Sequence, residues 1–329
     1  MSLGHGGSGQ PRAKFPFVGV PSFLRSKMVG PDEDFTAEIA VFGAPTDEGS
    51  PFLPGSRFGP RALREHSLRF VAEAPGYFDP NRGRQYLARE MADGLIADLG
   101  DADIIPTNII SSFESISALT ARILAKGAVP IVLGGDHAIT YPVVRAFERP
   151  LHVVHFDAHL DYMPFVHGTS MSNAHAFRHV AHMPHVRSLV QVGIRSLRNT
   201  KTMWDDTLGD GNRVVTTSEF RAMGPEAVAA LVPRGEDCYI SLDVDVLDLS
   251  LVPGCVSAEP DGLSYADLRD TLVALTSRCR VVGFDLVEVN PLLDVGTGVT
   301  AYLGAHTVVE FLGHLCDAEQ RSGHHNPAG

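Results

Sequence analysis

The chain has 329 residues, 44% hydrophobic and 20% charged, enough to bury the core of one large α/β domain or two small ones. Its net charge of −12 argues against a nucleic-acid partner, whose binders carry basic patches, and is compatible with a cationic substrate. With no membrane-spanning apolar stretch, no apolar signal-peptide core and four scattered cysteines (Cys238, Cys255, Cys279, Cys316) that form no CxxC and read as reduced thiols, a cytoplasmic protein is expected.

Residues 1–14, opening MSLGHGGSGQ, predict a disordered tail. EIAVFG (38–43) reads as a strand, and a helix starts near Pro60 in GSRFGPRALREHSLRF. GLIADLG (94–100) is a weaker strand. SSFESISALTARILAKG (111–127) has apolar residues at helical spacing and Gly127 as its cap. PIVLGGD (130–136) and LHVVHFD (151–157) are strands, separated by the helix TYPVVRAFE. Strands follow at 188–194, 213–217, 237–246 and 280–289, with helices at 264–278 and about 300–319. A second tail is expected over 321–329, leaving 15–320 as a single domain. Alternating strands and helices predict a mostly parallel sheet covered on both faces, and the near-continuous apolar strands fit that burial. Trp204 reads as a packing residue or a pocket wall.

Four of these strands run into acidic or imidazole groups at the same end. They deliver Asp136 and His137; Asp157, His159 and Asp161; Asp243, Asp245 and Asp248; and Asp285, Glu288 and Asn290. In open α/β sheets, functional groups collect beyond the carboxyl ends of strands. If HFDAHLDY stays extended, Asp157, His159 and Asp161 share one face. Each segment alone has a plain reading, as a turn, a helix cap or a solvated acid. Together, so many carboxylates in one pocket repel, and divalent cations remove that repulsion. Carboxylates with two histidines and no thiolate favour Mn²⁺ over structural zinc, and the number of ligands suits two ions, as in a binuclear hydrolase.

GGDH, DAHLD, SLDVDVLD and DLVEVNP, with the upstream PGSRFGPRALRE, resemble the ureohydrolases, the arginase and agmatinase family, from about Phe17 to Cys316. The resemblance implies a three-layer α/β/α fold around an eight-stranded, mostly parallel sheet of the arginase/deacetylase type. It implies hydrolysis of a guanidino group to urea plus an amine with two Mn²⁺, Ni²⁺ being the other choice. One ion would be held by His137, Asp157, Asp161 and Asp243, the other by Asp157, His159, Asp243 and Asp245. Asp161 would orient the attacking water and Glu288 would hold the guanidinium. The proton shuttle falls to His167, in His167-Gly168-Thr169, with His175 as a further candidate, and the family's spacing before Phe177 puts Asn173 where a histidine is usual. In VPGCVSAEPDGL (252–263), Cys255 and Val256 replace small residues of the family pattern. The apolar Tyr162–Val166 lacks the groups with which arginases grip arginine. Agmatine is therefore the expected substrate, with 4-guanidinobutyrate, guanidinopropionate, guanidine or a biguanide as alternatives. Other readings are a deacetylase-like or formimino-hydrolase and a poorly active partner subunit of a hetero-oligomer. A homotrimer or homohexamer is expected.

Overall fold

The computed structural model describes residues 15–30, 33–71, 75–166 and 168–322; the tail expected over residues 1–14 and most of that over 321–329 lie outside them. In chain order the elements are β1 (Lys27–Met28), β2 (Ile39–Ala44), α1 (Gly59–Ser67), β3 (Tyr77–Asp79), β4 (Arg84–Tyr86), α2 (Ala88–Ala92), β5 (Ile96–Asp101), α3 (Ile109–Ala125), β6 (Val129–Gly134), α4 (Thr140–Arg145) and β7 (Leu151–Phe156). There follow α5 (Ala176–Ala181), β8 (Val186–Ile194), α6 (Lys201–Gly209), β9 (Arg213–Thr216), α7 (Thr217–Met223), α8 (Pro225–Ala229), β10 (Asp237–Asp243), α9 (Tyr265–Arg278), β11 (Arg280–Val287) and α10 (Val299–Ser322). Nine strands form one parallel sheet in the order β1-β5-β2-β6-β11-β10-β7-β8-β9. The strand beyond the expected eight is β1, two residues paired with the edge of β5 and too short to show a pattern.

Alternate side chains of each central strand enter two separate cores. Val41, Val154, Phe156, Ile240 and Leu242 pack with α9 and α10, whereas Phe42, Val153 and Tyr239 pack with α3, α4 and α5. A strand buried on both faces has no polar alternation, which is why these segments read as apolar runs. The helices start where their caps dictate. Asn108 accepts from the Ser111 N–H ahead of α3, and Ser264 forms a capping box with Asp267 at α9. Between α1 and β5, buried Arg64 donates to Asp98 and Asp101 at 2.6–3.0 Å, pairing charges that burial would otherwise make costly. The small hairpin β3–β4 and helices α2 and α5–α8 are absent from the expected elements, being too short for a clear period.

Candidate metal centre

The strands β6, β11, β10 and β7 are the four neighbours at the middle of the sheet, so their carboxyl ends meet at one point. After β6 the chain turns through Gly134-Gly135, where a Cβ on Gly135 would stand 1.9 Å from the Thr46 carbonyl. Asp136 caps that turn, accepting from the N–H groups of Ala138 and Gly49, and so holds His137 inward rather than reaching the centre itself. β7 ends at Phe156, so HFDAHLDY does not stay extended. Asp157, His159 and Asp161 converge through a bend, with Asp161 in the left-handed region at φ 47°. β10 likewise ends at Asp243, and a single helical turn, Val244–Val246, carries Asp245.

His137 Nδ1 lies 3.0 Å from Asp157 Oδ2, 3.2 Å from Asp161 Oδ2 and 3.3 Å from Asp243 Oδ2. His159 Nδ1 lies 3.1 Å from Asp157 Oδ1 and 3.2 Å from Asp245 Oδ2. Asp157 thus gives one oxygen to each histidine. An ion bonded at about 2.1 Å to two ligands at right angles holds them about 3 Å apart, so these separations suit coordination. His137 Nδ1 and Asp245 Oδ2 are buried without a well-formed hydrogen bond, as atoms reserved for an ion are. His137, Asp157 and Asp161, and likewise Asp157, His159 and Asp245, are grouped closely enough to hold a metal ion.

The electrostatics point the same way. Burial first, then the neighbouring carboxylates, pushes Asp243 well above the usual carboxylate range and Asp161 to about 6. Burial opposes charge on His159, but Asp245 and Asp157 outweigh it and push the ring to about 12. Protons here stand in for missing positive charge, and divalent cations supply it without them.

A second ring of residues, of which only Asp285 stood out in the sequence, orients the first. His137 Nε2 donates to Ser241 Oγ at 2.9 Å. Ser241 in turn donates to Asp285 at 2.7 Å, and Asp285 also accepts from Tyr239 at 2.6 Å and Thr140 at 2.9 Å. Asp285 therefore sits inside β11 as a brace, not at its end. This chain places the His137 proton on Nε2 and frees Nδ1. Gln191 donates to His155 Nδ1 at 3.0 Å, so His155 Nε2 donates to Asp157 Oδ2 at 2.8 Å; its ring stacks on Phe177. Asp248, expected near the site, braces a loop by accepting from Ser250 and Gly262. Asn290 anchors the Pro54 carbonyl.

Glu288 stands next to the cluster, 2% exposed, at the left-handed φ of 64°. Its Oε1 accepts from the His137 N–H at 3.0 Å and Asn173 Nδ2 at 3.2 Å, and Oε2 accepts from Ser56 Oγ at 3.3 Å. Burial, then repulsion from Asp136, pushes its carboxyl to about 8. Glu288, Asp161, Asp243 and His159 line a cleft of about 210 Å³ whose walls include Phe52, Met163, Met203, Val256 and Asn173. Arg198 stands at its rim. His167 lies outside the described residues. His175 is buried with Nδ1 against Ser172 Oγ at 2.7 Å, and it is not among the residues lining the cleft. Trp204 lines a separate shallow depression with Asn199, Thr200 and Lys201. Cys255 is buried beside Asp243 and Asp245, and burial pushes its thiol well above its ordinary range.

Residues 37–313 match the model of the arginase family. The chain is 33% identical over 322 residues to the guanidinopropionase of Pseudomonas aeruginosa, covering 93% of this chain and 95% of that one. It is 30% identical over 262 residues to the agmatinase of Bacillus anthracis, covering 78% and 85%. The solved structure of proclavaminate amidino hydrolase from Streptomyces clavuligerus superposes with a TM-score of 0.81 at 30% identity, covering 92% of this chain and 99% of that one.

Proposed function

Because the chain belongs to the arginase family of hydrolases, we propose that it cleaves a guanidino compound to urea and an amine at a two-metal centre. One ion would be held by His137, Asp157, Asp161 and Asp243, the other by Asp157, His159, Asp243 and Asp245. The observation that carries this is the convergence of two histidine Nδ1 atoms on four carboxylates, with Glu288 alongside. Two ions in this oxygen-rich set, Mn²⁺ first and Ni²⁺ second, would supply the acidity that makes water nucleophilic near neutral pH.

The chain's own groups do the rest. Glu288 is fixed by the His137 N–H, Asn173 and Ser56, and presents Oε2 to the guanidinium N–H groups, holding the carbon over the centre. Asp161, 8% exposed and lining the cleft, orients the attacking water. Asn173 occupies the place four residues before Phe177, and a carboxamide does not titrate, so it positions Glu288 rather than moving protons. His167 keeps the role of proton donor to the departing nitrogen; the burial of His175 against Ser172 speaks against it there. Relatives are named for guanidinopropionate and agmatine alike, so the family does not choose the tail. Manganese-loaded protein should release urea and a stoichiometric amine from at least one guanidino compound, measured by urea and amine assay. No urea from any guanidino compound, with formamide and amine released from a formimino compound, would point instead to formimino hydrolysis.

A further inference from the structure

The charged groups of the cleft are unevenly placed. Its acids, Asp161, Asp243 and Glu288, lie at the floor and are at most 8% exposed. Phe52, Met163, Met203 and Val256 give it apolar walls, Phe52 being 76% exposed at its mouth. At the rim, among the described residues, the charged side chain is that of Arg198, 58% exposed. Beside it, Glu259 holds Arg198 through one oxygen: Oε1 accepts from Ser196 Oγ at 2.7 Å and from Arg198 Nη2 at 3.1 Å. A substrate tail that reaches Arg198 meets a guanidinium, and Glu259, paired with that guanidinium, is not among the residues lining the cleft.

Arg198 is also tied to the centre. Its Nη2 lies 2.7 Å from His159 Nε2. If His159 gives Nδ1 to an ion, its proton sits on Nε2, and two donors then face each other. The acceptor the ring needs is Glu259 Oε1, 3.6 Å from Nε2. Arg198 stays anchored by Glu259 Oε1, through Nε at 3.2 Å and Nη2 at 3.1 Å, and by the Ser257 carbonyl at 2.9 Å, while Nη1 contacts only Ser257 Oγ, at 3.3 Å, among the described residues.

We propose that Arg198 is the specificity-determining residue that receives a carboxylate tail, making the substrate an ω-guanidino carboxylate rather than a guanidino amine such as agmatine. The guanidinium lies against the buried acids, the methylenes pass the apolar side chains, and the carboxylate meets Nη1 of Arg198. This inference rests on the hydrolase reading of the same cleft.

The test compares manganese-loaded wild type, Arg198→Ala and Arg198→Lys with 4-guanidinobutyrate, agmatine and butylguanidine, by calorimetric binding and by urea release. Wild type binds 4-guanidinobutyrate at least ~10-fold more tightly than agmatine. In Arg198→Ala the loss for the acid exceeds the loss for butylguanidine by roughly 10- to 100-fold, expressed in KM, and Arg198→Lys restores part of it. Equal losses across the three compounds, or agmatine bound as tightly as the acid, would overturn the inference while leaving the hydrolase reading intact. Arg198-dependent binding of the acid without any urea would uphold it and overturn the hydrolase reading instead.

Discussion

Asp243 stands between the two halves of the centre. It is 3.3 Å from His137 Nδ1, and one of its oxygens accepts from the Asp245 N–H at 2.8 Å. Asp243→Ala should therefore remove both metals and turnover together, read as metal content per chain and urea release; two metals retained with activity would contradict the assignment. Glu288→Gln should separate the two properties, keeping the metals while kcat/KM falls roughly 100- to 1,000-fold, because a neutral amide replaces the charged acceptor. Ser241→Ala acts one step further out. It removes the group that fixes the His137 proton on Nε2 and should weaken metal binding roughly 10- to 100-fold, as a chelator competition would show. The ligands were legible in the sequence because metal chemistry confines them to a few residue types at strand ends. Ser241, Gln191 and His155 were not, because a serine or glutamine inside an apolar strand carries no signal until its neighbour across the sheet is known. Asp285 looked like another site acid, yet three hydroxyl-bearing groups from β10 and α4 claim it.

Secondary structure was legible where period and caps agree. α9 was foreseen at 264–278 and runs Tyr265–Arg278, its start set by the Ser264–Asp267 capping box. Ser264→Ala should cost about 1 kcal/mol, read by denaturant unfolding. The strands β7 and β10 ended earlier than expected, because Asp157 and Asp245 leave the ladder to turn toward the centre. The hairpin β3–β4 left no clear trace, yet it packs on α10, where Tyr86 meets His314 edge-on at 5.0 Å. His314 Nε2 is buried without a hydrogen-bond partner among the described residues, and burial, then Arg82, lowers its pKa from 6.5 to about 4. The unfolded chain thus binds the proton first. The stability His314 contributes is present above pH 6.5 and is lost as pH falls through 4. His314→Phe keeps the ring and removes the proton, so its thermal midpoint should fall less steeply than that of wild type between pH 6.5 and 4; parallel profiles would contradict this.

The molecule as a whole places its candidate metal-binding residues where the four central strands of a parallel sheet end. No helix among the described residues is long and apolar enough to cross a membrane. The N-terminal segment divides. Phe23 and Leu24 are buried in the chain's own core, whereas Phe15, Phe17 and Val20 are more than half exposed. Exposed aromatic residues on one strand of chain suit a neighbouring copy, and light scattering should give a trimer or hexamer that Phe17→Glu weakens. Metals that bind only the folded state should raise the thermal midpoint in proportion to the logarithm of their concentration. The most direct test of the account is the product balance of manganese-loaded protein on guanidino compounds of graded tail charge. The account predicts urea and amine in equal amounts, with a carboxylate-tailed compound preferred. Protein that holds two metals per chain and releases urea from none of them would contradict it.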